Sequence, residues 1–101
     1  MKEEKVISRL AIYTIKKNKV RYVSNATREF IDQVHDKEPG IVMYRVFQNK
    51  KKPHEFIHFM VFKNRKAEKL HKSAKHVKRL VDIIYPNSSR EPVFIDLNKV
   101  H

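Results

Sequence analysis

Apolar and polar positions along this chain follow two different periods. Residues 7–15, ISRLAIYTI, alternate loosely and favour β-branched side chains, which predicts a strand. Further on the spacing changes. Val23, Thr27, Phe30 and Val34 recur three or four apart, the stripe of an amphipathic helix. Asn18 is placed to cap that helix, which is expected to run to about Asp36. The stretch KEPG then stops it, because Pro39 restricts Glu38 and Gly40 allows a turn.

The strand period returns in IVMYRVFQ, 41–48, and again in EFIHFMVFK, 55–63. The charged turn NKKKPH between them makes the pair a hairpin. Asn64 can cap a second helix, whose inner face is expected to run through Ala67, Leu70, His71, Ala74 and Val77 and on to Leu80, Val81 and Ile84. YPNSSREP, 85–92, reads as a loop, and VFIDLNKV, 93–100, as a last strand.

The resulting order, β-α-β-β-α-β, is the ferredoxin-like signature of an α+β fold, an antiparallel four-stranded sheet with its helices on one face. The first and third strands should lie in the middle of the sheet. FIHFMVF, apolar at nearly every position, suits such a place. Two helices can cover one sheet face only, and 101 residues, enough for a single domain, supply nothing to cover the other. An exposed apolar face of that size predicts a homodimer, sheet against sheet.

Composition narrows the chemistry. With 41% apolar residues, six Phe and four Tyr, the chain is globular. A single Gly leaves no room for a Gly-rich phosphate loop, and the lack of Cys removes disulfides, thiolate metal sites and a Cys nucleophile. The start, MKEEKVISRL, has no apolar core of a secretory signal, and no stretch approaches the roughly 20 apolar residues of a membrane span. A soluble cytoplasmic protein without a membrane partner is expected. The net charge of +12 invites anionic partners, but Lys is spread over every segment. Lys63, Arg65, Lys66, Lys69, Lys72, Lys75, Lys78 and Arg79 crowd the second helix, mostly opposite its apolar stripe, where a solvated face explains them. No aromatic residues interleave with them, so nucleic-acid binding is not expected.

Three histidines stand out. On one straight helix, His71 and His76 would lie roughly 140° apart, so they are not a metal pair, and no metal is expected. A break near Ser73 could turn His76, which otherwise reads as a helix-break or surface residue. His71 shares the stripe of Ala67 and Ala74. It reads either as a pocket residue able to move a proton or as a buried histidine bonded to backbone. His58 interrupts a central strand and needs a partner; it shares a face with Phe56, Met60 and Phe62, so it joins the pocket if that face looks at the helices and the dimer interface, the slightly favoured place, if it looks at the partner. Tyr13 and Tyr44 read as core or interface aromatics with satisfied hydroxyls. Arg9 and Arg45 are charges inside strand patterns, each with a carboxylate-binding role open to it.

The element order, the EPG at Glu38, Pro39 and Gly40, Tyr44 in IVMYRVF, and the pair His71 and His76 after VFKNRKAEKL together resemble the antibiotic biosynthesis monooxygenase family, over about residues 7–98. The resemblance implies a small dimeric α/β barrel. It also implies a cofactor-independent oxidation of quinol- or anthrone-like aromatic substrates by dioxygen, with His71 as base or hydrogen-bond donor. Tyr44, His58, Phe62, Leu70, His76 and Val77 would line the substrate cavity. A non-catalytic small-molecule-binding or stress-related protein on the same scaffold is the alternative. The chain departs from the family's heme-degrading branch: His71 and Val81 stand where that branch has a Trp and a heme-ligating His, and the first strand has no Asn.

Overall fold

The computed structural model describes residues 5–100. Its elements are β1 (Ile7–Thr14), α1 (Val20–Lys37), β2 (Ile41–Gln48), β3 (Glu55–Phe62), α2 (Arg65–Ser73), α3 (Lys75–Asn87) and β4 (Val93–Leu97). The strands form one antiparallel sheet in the order β2-β3-β1-β4, with β1 and β3 central as expected. The architecture is the ferredoxin-like α+β arrangement, with the second helix divided into α2 and α3.

Register sorts the residues of the sheet. Ala11, Tyr13, Phe56, His58, Met60, Phe62 and Tyr44 turn to the helices and are buried. Val23, Phe30 and Val34 of α1 meet them, with Leu80 and Ile84 of α3. Burying each large apolar side chain is worth about 1.5–3 kcal/mol, so this layer carries most of the stability. The opposite sheet face holds Leu10 and Ile12 of β1, Ile57, Phe59 and Val61 of β3, Met43 and Phe47 of β2, and Val93 and Ile95 of β4. No helix covers it, and Phe47 and Val93 are each 52% exposed.

Several element ends differ from expectation. Asn18 does not cap α1. It sits inside a 3-10 turn, Lys17–Lys19, and the helix starts at Val20 without a side-chain cap. Asn64 does cap α2, accepting from the backbone N–H of Ala67 at 2.9 Å. Residues 85–87, assigned to a loop by composition, are the last turn of α3, with Pro86 inside it. The freed carbonyls there are taken up by side chains: Asn87 Nδ2 donates to Ile83 and Ser88 Oγ to Ile84, both at 2.7 Å. Among the described residues no helix is long and apolar enough to cross a membrane.

Gly40 serves closeness rather than a left-handed turn, since its φ is not positive. A Cβ on Gly40 would stand 2.7 Å from Cβ of Ala67. The turn after α1 therefore packs directly on α2, and Lys63 N donates to the Gly40 carbonyl at 2.8 Å. Gly40→Ala is expected to overpack this contact and to lower stability by about 1–3 kcal/mol, read as a lower urea midpoint with an unchanged slope.

Candidate active site

The contact at Gly40 brings Glu38 under both helices that follow. His71 Nδ1 lies 3.0 Å from each Glu38 oxygen, and His76 Nε2 donates to Oε2 at 2.6 Å. All three side chains are more than nine-tenths buried. The convergence depends on one residue. Ala74 is extended, at φ −72° and ψ 141°, which ends α2 and restarts the helix as α3. Ser73 Oγ caps the break by donating to Leu70 O at 3.2 Å. Without that step His76 would face away from His71. His76 does mark the helix break, but it is a buried anchor and not a surface residue, and it does not line the cavity next to it.

That cavity, of about 510 Å³, lies between the sheet and the helices. Tyr44, His58, Phe62, His71 and Val77 line it, with Phe30, Met60 and Leu80 supplying more apolar wall. Ala11, small and central on β1, leaves it depth. Leu70 does not belong to it. Glu68 and His71 turn inward with Ala67, which rotates Leu70 outward to 60% exposure.

His58 faces the helices and not a sheet-face partner, which is the pocket alternative and not the slightly favoured interface one. It is 3% exposed, and both ring nitrogens are engaged: Tyr13 Oη at 2.6 Å from Nε2, and Tyr44 Oη at 2.8 Å from Nδ1. Burial, reinforced by nearby His71, depresses its pKa to about 3. A neutral imidazole has one N–H, so one tyrosine donates to it and the other accepts. Burial also raises both phenols, against a smaller opposing pull of Thr27 on Tyr13 and with added repulsion from Tyr13 and Glu38 on Tyr44. The array stays uncharged at neutral pH.

His71 is set differently. Burial lowers its pKa, Glu38 pulls it back up, His76 lowers it and Glu68 raises it, and the outcome is a value below the ordinary one. The ring is neutral at pH 7, with its N–H on Nδ1 directed at Glu38. Among the described residues no protein group hydrogen-bonds Nε2, the opposite end of a ring that lines the cavity. Glu38 thus fixes the tautomer and leaves a free acceptor.

Sequence reasoning missed two carboxylates. Glu38 reads as part of a turn, and only its place before Pro39 and Gly40 signals it. Glu68 reads as one charge on a basic helix, yet it is 7% exposed and lines the cavity. Arg9 Nε lies 2.7 Å from Glu68 Oε2 and 3.0 Å from Asp96 Oδ1, but its N–H is aimed at neither, so among the described residues Nε and Oε2 have no hydrogen-bond partner. Among the described residues no group of three His, Cys, Asp or Glu is arranged to hold a metal ion.

A small α+β chain with a mostly apolar cavity and a carboxylate-oriented histidine on its wall is the class of protein these features define. The chain belongs to the antibiotic biosynthesis monooxygenase family, whose model matches residues 7–82. It is similar to a solved antibiotic biosynthesis monooxygenase, at 23% identity and a TM-score of 0.86 over 94% of this chain and 99% of that one. A Caulobacter crescentus protein that provisionally carries the same name superposes at a TM-score of 0.89, with 18% identity over 98% and 93% of the two chains. A conserved Methanosarcina mazei protein gives 0.84, with 21% identity over 93% and 92%. At these identities the likeness speaks for the fold. No curated protein matches the sequence.

The His58 array predicts acid sensitivity. Its folded pKa is depressed, so the unfolded chain takes up the proton first as pH falls below about 6.5. Stability is therefore full above that pH and is lost progressively toward pH 3, by on the order of 4–5 kcal/mol in total. His58→Gln is expected to be less stable at pH 7 and to show a flatter decline of urea midpoint between pH 6.5 and 4.

Proposed function

We propose that the cavity is the active site of a cofactor-independent monooxygenase that oxidises a small phenolic or quinol-type aromatic compound with dioxygen. Family membership supports the oxidoreductase class. The observation that carries the reading is the Glu38–His71 pair on the wall of an apolar cavity. His71 Nε2 takes the proton from a substrate hydroxyl, and Glu38 stabilises the imidazolium that forms. The substrate anion passes electrons to dioxygen in a dry site. One oxygen atom enters the product and the other leaves as water, with all the electrons drawn from the substrate. The wall offers acceptors, His71 Nε2 and the Glu68 carboxylate, which favours a ligand that carries O–H or N–H donors. Phe62, Val77 and Tyr44 shape the space around its ring. A purely ligand-binding protein would be favoured by a His71 tied to backbone, and here it is tied to a carboxylate. Heme chemistry has no part in this reading, because His71 and Val81 stand at the positions it would need.

The protein works, in this reading, as a homodimer through the uncovered sheet face. Leu10, Phe59 and Ile95 sit side by side across β3, β1 and β4 on that face. Phe59→Asp is expected to convert a dimer in sedimentation to a monomer.

Oxygen uptake against a panel of hydroquinones, anthrones and flavonols tests the activity. His71→Ala is expected to lower kcat/KM by about 10²–10⁴-fold. Because burial depresses the base, the acid limb of the pH profile should lie below the ordinary imidazole value of about 6.5. Glu38→Gln removes a charge that raises the His71 pKa, so its acid limb should move lower still while the rate falls. Uptake by His71→Ala equal to that of the wild type would remove the assigned role.

A further inference from the structure

Eight of the 23 Lys and Arg side chains lie within residues 63–79, on α2, the start of α3 and the link into them. All eight are exposed. The stretch holds one carboxylate, Glu68, and that one is buried against Arg9 of β1. Among the described residues none of the eight cations pairs with a carboxylate. The ridge is an unneutralised cationic surface and not a salt-bridged helix face, so it attracts an anionic surface.

The neighbouring rim is apolar. Val81, Tyr85 and Phe94 are 39%, 50% and 62% exposed, and all three border the cavity, together with Lys72. On α3, Lys78, Val81 and Tyr85 are spaced three and four apart and share one flank. Lys72 at the rim, and Lys78 one turn along the same flank of α3, therefore adjoin the apolar side chains at the mouth of the cavity. Asp82, Glu91 and Asp96 flank this rim in sequence, three carboxylates against eight cations.

We infer that the α2–α3 ridge docks on an anionic phospholipid surface, with Val81, Tyr85 and Phe94 set into its outer layer and the cavity mouth turned toward the acyl chains. Duplex nucleic acid would meet the charge but would leave those three side chains without an apolar layer, which is why the bilayer is the better match. Docking of this kind needs no spanning helix; the expectation of no membrane partner rested on the lack of one. It also gives an apolar ligand a path into the cavity that avoids water. The docking stands apart from the proposed oxidation and is tested without it.

The test is sedimentation of the full chain with vesicles of phosphatidylcholine alone, or with about one third phosphatidylglycerol. Binding is expected to the anionic vesicles only, and to weaken as salt rises to several hundred millimolar. Lys72→Glu with Lys78→Glu should reduce the partition coefficient at least about tenfold. Phe94→Ser should reduce it too, with the salt dependence kept. The chain has no Trp, so Tyr85→Trp introduces a single reporter whose emission should shift to the blue on vesicles and be quenched by brominated acyl chains. Circular dichroism checks that each variant is folded. Equal binding to neutral and anionic vesicles, no binding, or an unshifted reporter would overturn the inference. So would duplex DNA that displaces the vesicles and binds the Phe94→Ser variant as well as the wild type.

Discussion

One carboxylate holds the helical layer of this molecule together. Glu38 is buried, and a buried carboxylate is costly unless its oxygens receive donors. Its donors are His71 and His76, from two separate helices, so the desolvation of Glu38 is offset only when α2 and α3 both sit in their final places. The same contact ties the end of α1 to that helix pair. Gly40 and Ala67 allow it by letting two backbones approach where any larger pair would keep them apart.

Two polar networks share the apolar interior and are tuned in different ways. Tyr13, His58 and Tyr44 satisfy one another and remain neutral, which fixes the floor of the cavity. Among the described residues, His71 is bonded at one nitrogen and free at the other. The first arrangement serves rigidity, and the second leaves a basic atom available to a ligand. Phe30 stands between them, with its ring centroid 5.3 Å from Tyr44, 6.1 Å from His71 and 5.9 Å from His76. An α1 residue thus keeps both networks out of water.

The two faces of the chain offer different surfaces. One side of the sheet is apolar and uncovered, while the outward side of α2 and α3 is cationic. A partner for the first surface must be apolar, and a partner for the second must be anionic. The helices between them enclose the cavity, so its mouth opens beside the charged ridge rather than on the bare sheet face.

Periodicity with turn residues determined the strand and helix order, that order placed β1 and β3 in the middle, and two helices for one sheet left an apolar face uncovered, because side chains alternate every two residues in strands and recur every three or four in helices. Helix spacing singled out His71, and the family resemblance added Phe62, Tyr44 and Val77; all four line the cavity. Tertiary structure decided the rest. A single extended residue, Ala74, set the direction of His76, and no periodic pattern reports one backbone dihedral. The choice of face for His58 depended on which side of an apolar strand the helices covered. Leu70 and Glu68 exchanged the places that their polarity suggests, since Arg9 across the sheet neutralises Glu68 and the close Gly40–Ala67 packing sets the rotation of α2. Glu38 could be seen in the sequence only as a turn residue, because its partners lie more than thirty positions away.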